Sequence, residues 1–381
     1  MIFLKNNRRG GWLYIAIGFV LGMTLLLGVS FLGYKLLKYR HHLSRYSKVD
    51  PLMRPKKGFN VFVASSLEKV FKDGKTLTKP YFSPQAHLSA ARNEYESFQV
   101  IVSNGPAELK SVAFDVSDLV DFKSVAKHKI AKEHISIRTI GYVPTKKPYY
   151  RVKFIGEWPD PLLAHKPIDM KSNDIQPFWI TVYVPENTPP GLYSGNVGIS
   201  TESTALEIPV QIEVFDFALP QESHLKTAFD FYGHILDIRY PGKSREEYAQ
   251  LADQYIISML KHRMNPILNV DPTSVKDMAN VDRYRKMGLS NFSIGRKGGT
   301  FGNNWPEDDQ KLEELLPLYR AYGETLASND LIDRQYIYTW DEGEIGNPRV
   351  SKVASMIHRA YAKIKNMVCY HGIWDPKENP A

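Results

Sequence analysis

The chemistry-bearing stretch of this 381-residue chain is YIYTWDEGE, residues 336–344. An aromatic, strand-like run ends there in Asp341-Glu342, followed by Gly343, a loop and a helix. Two adjacent carboxylates can divide acid–base work, one kept protonated as the acid and one ionised. Consecutive strand residues point to opposite faces, so both reach one site only where the strand is already bending. Gly343 permits such a bend. In parallel α/β folds the carboxyl ends of strands face the ligand. Most Asp-Glu dipeptides are solvated loop residues, and the strand-end context sets a catalytic role beside that reading as an equal alternative.

The elements that must position the pair form a strand–helix alternation after Pro220. LKTAFDFY (225–232), PILNV (266–270), LSNFSIG (289–295), QYIYTW (335–340) and NMVCYHG (366–372) read as strands. Ser244 and Glu247 make a capping-box signature. Behind them Tyr248, Leu251, Ala252, Tyr255, Ile256, Met259 and Leu260 follow helical spacing. A short helix is predicted between the second and third strands. Another spans about 307–327, with an acidic first turn (Glu307, Asp308, Asp309) and a kink at Pro317. Asn347 and Pro348 fit N-cap and N1 of a last helix with apolar face Val350, Val353, Ala354, Ile357, Tyr361 and Ile364. Such alternation means parallel sheet. About four and a half strand–helix units are present, against the roughly 250 residues of a closed eight-unit barrel. The segment therefore reads as a barrel cut short, or as a small open α/β sheet.

From about Phe59 to Pro220 the period is two. Phe178, Ile180, Val182 and Val184 alternate with Trp179, Thr181 and Tyr183. Leu206, Ile208, Val210, Ile212 and Val214 alternate with Glu207, Pro209, Gln211 and Glu213, a half-buried strand with one wet face. Pro209 predicts an edge or a bulge. FNVFVAS (59–65), SFQVIVS (97–103), HISIRTIGYV (134–143) and LYSGNVGIS (192–200) are further strands, and Pro189-Pro190-Gly191 is a turn. Many short strands with turn signals indicate a β-sandwich.

Composition narrows the function classes. The single cysteine, Cys369, excludes a disulfide scaffold and a paired-cysteine zinc site. The histidines show no metal-ligand spacing, and neither a metal nor another cofactor is expected. The net charge is +8, but the first 50 residues carry eight Lys and Arg against Asp50 alone and hold seven of those charges. The excess flanks one segment instead of lining a groove, which argues against nucleic acid. That segment, Gly10 to Tyr34, is 25 uncharged residues, longer than the ~20 that span a bilayer as a helix. Trp12, Tyr14, Tyr34 and Tyr39 stand near its ends. It reads as a single-pass anchor in the lipid bilayer; the alternative is a cleaved signal peptide. The short amino-terminal tail places the large domain outside the cytoplasm, although the count of flanking Lys and Arg slightly favours the reverse. The organisation expected is an anchor (1–40), a basic linker (41–58), an all-β sandwich (59–220) and a partial α/β, TIM-like barrel (221–381). Gly295–Gly299 lacks the ending of a phosphate loop, and Asn291-Phe-Ser matches a glycosylation acceptor.

Several stretches in order, ARNEYESFQVIV (91–102), WPDPLL (158–163), QPFWITVYVPENTPPGLYSGNV (176–197), VFDFALP (214–220), HRMNP (262–266) and YTWDEGE (338–344), resemble glycoside hydrolase family 123. These are β-N-acetylgalactosaminidase-like enzymes with an amino-terminal sandwich and a TIM-like barrel. The resemblance implies a retaining, substrate-assisted mechanism, one of the departures from the two-carboxylate scheme. Asp341 would orient the substrate's 2-acetamido group and Glu342 would protonate the leaving oxygen. Gly343 departs from the family, where proline is more frequent. With a glycan as substrate, Tyr338, Trp340 and Trp374 are candidates to stack on a sugar face, with core packing the alternative. Asp230, His234, Asn269 and Asp271 are candidates to bind hydroxyls, with loop and cap duty the alternative. Arg92-Asn93-Glu94 and Asp160 read as turn or buried hydrogen-bonding residues of the sandwich. The competing function is a non-catalytic carbohydrate-binding or scaffold protein that keeps the sandwich and half a barrel.

Overall fold

The computed structural model describes residues 55, 57–72, 83–152, 155–231, 233, 235–295, 305–344 and 346–371. The expected anchor and most of the linker lie outside them, as do His234, Trp374 and most of the Gly295–Gly299 stretch. Among the described residues no helix is long and apolar enough to cross a membrane. The chain divides into two units, Met1–Leu219 and Pro220–Ala381.

The first unit is two packed β-sheets. Its strands are β1 (Phe59–Ser65), β2 (Ala86–Arg92), β3 (Glu94–Asn104), β4 (Leu109–Val116), β5 (Leu119–Val120), β6 (Lys129–Ile130), β7 (Ile135–Pro144), β8 (Glu157–Ala164), β9 (Ile168–Met170), β10 (Ile175–Val184), β11 (Gly191–Ser200) and β12 (Ala205–Ala218). One sheet has the order β1-β3-β10-β7-β8 and the other β2-β12-β11-β4-β9, with β5 and β6 added beside β11. The alternation in sequence becomes the two faces of each sheet. Phe98, Val100, Val102, Phe178, Ile180 and Val182 of one sheet meet Tyr193, Val197, Ile199, Ile208, Val210 and Ile212 of the other in a single apolar core.

One motif of this unit, Arg92-Asn93-Glu94, proves structural. Asn93 sits in the turn between β2 and β3 at φ 59°, a left-handed conformation that Asn tolerates. Its side chain donates to Leu219 O at 2.8 Å and accepts from the Tyr183 hydroxyl at 3.1 Å. The Glu94 carboxylate accepts from Ala91 N–H at 2.6 Å. Asp160, in contrast, is exposed and does not serve a buried network. At Pro209 the strand has β11 on one side (Asn196↔Pro209), while pairing to β2 begins only at Val210↔Ala86. The proline thus stands at a local edge inside an otherwise central strand.

The second unit contains α1 (Ile235–Arg239), α2 (Arg245–Lys261), α3 (Val275–Arg285), β13 (Phe292–Ser293), α4 (Asp309–Glu313), α5 (Leu316–Ser328), β14 (Gln335–Glu344), α6 (Pro348–Ala360) and β15 (Asn366–His371). The capping box of α2 is complete: Ser244 Oγ accepts from Glu247 N–H and the Glu247 carboxylate accepts from Ser244 N–H. Asn347 caps α6, with Pro348 in its first turn. Five parallel segments follow one another in chain order. Phe229 bridges Pro266, Val270 bridges Ile294, β13 pairs with β14, and β14 pairs with β15. The helices cover them with a second apolar core that includes Val281, Phe292, Leu326, Ile337, Val353 and Ile357.

Several expectations need correction here. The strands at 225–232 and 266–270 are reduced, among the described residues, to the isolated bridges Phe229↔Pro266 and Val270↔Ile294. The helix over 307–327 is two helices, α4 and α5; Pro317 lies in the first turn of α5, where a missing N–H costs nothing, and does not kink a continuous helix. Tyr361 and Ile364 lie beyond the end of α6. A closed barrel is not found among the described residues; the parallel segments form an open array. Asn291, the glycosylation candidate, is 6% exposed and donates to Thr227 O at 2.9 Å, so its amide is committed to the interior.

Candidate active site at the end of strand β14

β14 continues through the carboxylate pair to Glu344 and does not stop at Trp340. Its pairing with β15 slips twice. Tyr338↔Met367 is followed by Trp340↔Val368, and Trp340↔Val368 by Gly343↔Tyr370. Each slip places one extra residue on β14, the signature of a β-bulge, which bends a strand and re-aims its side chains. Glu342 has φ 48°, left-handed backbone that a non-glycine residue seldom adopts. The bend that adjacent carboxylates require is therefore built into this strand.

The bulge has a direct consequence for Asp341. In a regular strand residues three apart face opposite sides. With one extra residue between them, Tyr338 and Asp341 meet, and the tyrosine hydroxyl donates to Asp341 Oδ1 at 2.5 Å. Asp341 is half-buried and Glu342 is exposed. Burial first, and then the hydrogen bond to Asp341, push the Tyr338 pKa well above that of a free phenol. The hydroxyl thus keeps its proton and remains a donor at any ordinary pH.

The other candidates divide. Asp230 is exposed, yet its charge reaches both Tyr336 and Tyr338, which places it at the same strand ends. Trp340 is partly buried and packs against the second core, the alternative weighed for it. Asn269 sits at φ 52°, its N–H donating to Ser293 Oγ at 2.8 Å. The Asp271 carboxylate accepts from Thr273 N–H at 2.9 Å and from its hydroxyl at 2.6 Å, which is turn duty. His234 and Trp374 fall outside the described residues. HRMNP is structural: buried Asn265 accepts from Ser290 N–H at 2.9 Å and donates to Thr227 Oγ1 at 3.2 Å, tying three parallel segments together.

Sequence reasoning missed two supports of β14. Trp305 is buried and its indole donates to Thr339 O at 2.7 Å. Thr339 in turn donates to Asn366 Oδ1 at 2.7 Å. No local pattern marks either, because both partners are distant in sequence. Among the described residues no group of His, Cys, Asp and Glu is arranged to hold a metal ion.

Residues 72–201 match the family described as the Glycoside hydrolase 123 N-terminal domain. A solved family 123 glycoside hydrolase from Clostridium perfringens, studied for glycolipid glycan hydrolysis, superimposes with a TM-score of 0.61 at 12% identity. The match covers 84% of this chain and 65% of that one, so the chain spans under two thirds of its solved relative. The PapD-like domain of human CEP192 (10% identity, 44% of this chain, 94% of that one) and the CooA pilin subunit of enterotoxigenic Escherichia coli (12%, 42% and 99%) each reach a TM-score of only 0.23, too loose to bear on the fold. No curated protein matches the chain in sequence. The chain is thus similar to glycoside hydrolase family 123, in sequence over the amino-terminal domain and in its mostly β-sheet fold.

Proposed function

We propose that this chain belongs to a membrane-anchored glycoside hydrolase that acts on N-acetylhexosamine-containing glycans by a retaining, substrate-assisted mechanism. The observation that carries the reading is the bulged end of β14, where a half-buried Asp341 is held by the Tyr338 hydroxyl and is followed at once by an exposed Glu342. The acetamido oxygen of the substrate attacks the anomeric carbon as the bond to the leaving oxygen breaks, giving a cyclic oxazolinium. Asp341, fixed by Tyr338, orients the acetamido N–H and stabilises the positive charge. Glu342 gives its proton to the leaving oxygen and then takes one from the water that opens the ring. This division suits neighbouring carboxylates, because neither has to attack from the far face of the sugar. The parallel array would be the first part of a TIM-like barrel, and the uncharged Gly10–Tyr34 segment the anchor of an extracytoplasmic domain. A second reading, a non-catalytic carbohydrate-binding or scaffold protein, is favoured by the open parallel array.

The test is kinetic, on the product of the full reading frame with aryl β-N-acetylgalactosaminides. Glu342→Gln should lower rates most with poor leaving groups, and Asp341→Asn with all of them, each by about 10²–10⁴. Tyr338→Phe should cut kcat by about tenfold with little change in KM, as befits a positioning residue. Equal activity on substrates without the 2-acetamido group would discard the mechanism. A folded protein that binds the sugar without turning it over would leave the binding reading.

A further inference from the structure

We propose that the sandwich carries a saccharide-binding cleft of its own, on the outer face of the sheet that contains β11 and β12. This site is independent of the carboxylate pair. It is a cleft of about 660 Å³, within the range of small-ligand sites, about 300–1,000 Å³.

The cleft follows from the strand pattern. Ser194↔Gln211 and Asn196↔Pro209 are opposed pairs of β11 and β12, so their side chains share one face and form the floor. β2 joins β12 only from Val210 onward, which leaves the floor open on that side. On the other side Gly195 lets the 117–119 segment lie directly against β11: a Cβ there would stand 2.6 Å from Asp118 O. Ser117 locks that wall, accepting from Asn196 N–H at 2.9 Å.

The rim is equally fixed. Asp121, 8% exposed, accepts from Lys123 N–H at 3.0 Å and its own N–H donates to His128 O at 2.8 Å. This turn holds Phe122 out at the mouth of the cleft, 70% exposed. A large ring displayed on a rigid turn loses little entropy when something packs on it. Its negatively polarised face suits the C–H bonds of a pyranose.

The chemistry of the lining selects the ligand. Asp118 is neutralised by Lys129 at 2.8 Å and accepts from Lys132 N–H at 2.9 Å. What remains on the floor is the Ser194 hydroxyl, the Gln211 amide and the amide of Asn196, whose nitrogen donates to the Glu207 carboxylate at 2.9 Å, a donor–acceptor set without net charge. Among the described lining residues an anion would find one cation, Lys132, whose charge already acts on the Asp118 carboxylate. A wholly apolar ligand would strip water from the hydroxyl and amide without replacing it. A peptide adding as a strand beside β12 would meet Pro209, which has no N–H to offer. A neutral, polyhydroxylated ring with one apolar face satisfies all of these groups.

The test is saturation-transfer NMR with the full chain in a detergent without a sugar headgroup, using the methyl β-glycosides of N-acetylgalactosamine, galactose and glucose. At least one should bind at or below about 10 mM. Phe122→Ala and Gln211→Ala should each weaken it about tenfold, while the thermal midpoint holds. No binding of any of the three sugars, or binding unmoved by Phe122→Ala and Gln211→Ala, overturns the proposal. So does binding abolished by Asp341→Asn, which would assign the sugar to the strand ends.

Discussion

The two units meet the same problem, where the backbone hydrogen bonds and apolar side chains go, with opposite solutions. In the sandwich, long strands such as β3, β10 and β12 each lie between two neighbours, and two inner faces close one core between them. In the parallel unit each segment pairs with the next in the chain, by as little as a single bridge, and the sequence of segments stays open. Its core is made on the helix side instead. The difference teaches where function has room. The closed core makes the sandwich a rigid carrier of surface features. The loosely paired strand ends tolerate two bulges and a left-handed glutamate where a continuous ladder would forbid them.

The contrast can be broken most sharply in the sandwich core. Phe178 is 0% exposed and its ring lies 4.3 Å from that of Phe114. Phe178→Ala should cost about 3–5 kcal/mol, read as a lower denaturant midpoint at unchanged slope. A much smaller loss would mean that the two sheets can collapse onto the void and that the core is not closely packed.

In the parallel unit the weak point is the contact between α5 and the end of α6. A Cβ on Gly323 would stand 2.1 Å from the Tyr361 ring. Gly323→Ala should destabilise by about 1–3 kcal/mol despite the better helix propensity of alanine. Combining it with Tyr361→Ala should recover part of that loss in a double-mutant cycle. A neutral or stabilising Gly323→Ala would show that Tyr361 swings away freely.

The smallest effect separates the units by pH. Burial beside Phe114 and Phe178 lowers the pKa of His165 in the sandwich. Its native form is therefore neutral, and the unfolded chain binds a proton first. The sandwich should lose stability as pH falls from about 6.5 toward the lower native value, and gain it back as pH rises. In the parallel unit the Arg283 guanidinium holds Asp253 below its ordinary carboxylate value. That contribution is complete above the ordinary aspartate value of 3.8 and is lost only below it. Mild acid should thus weaken the sandwich first, measured by hydrogen exchange of β10 against α2 and α3. Replacing His165 with glutamine should remove that first step.

How much was legible in the sequence follows from the range over which each signal acts. Long strands with strict alternation were readable because burial of one face repeats every second residue: FNVFVAS, residues 59–65, coincides with β1. Helix caps were readable because Ser244, Glu247 and Asn347 act within one turn. β5, β6 and β9 were missed, since two or three residues are too few for a period to show, and β2, β4 and β8 were missed because their seven or eight residues carry no strict alternation of apolar and polar side chains. The Asp341-Glu342 pair and its place on a strand could be found from residue types and spacing. That Tyr338 holds Asp341 could not, because residues three apart on a regular strand never meet. The meeting depends on an extra residue in β14 opposite β15, and register between strands is settled only when both are packed. The cleft on the sandwich has the same origin. Ser194, Gln211 and Phe122 are unremarkable in the chain, and only the pairing of β11 with β12 and the turn at Asp121 bring them to one face.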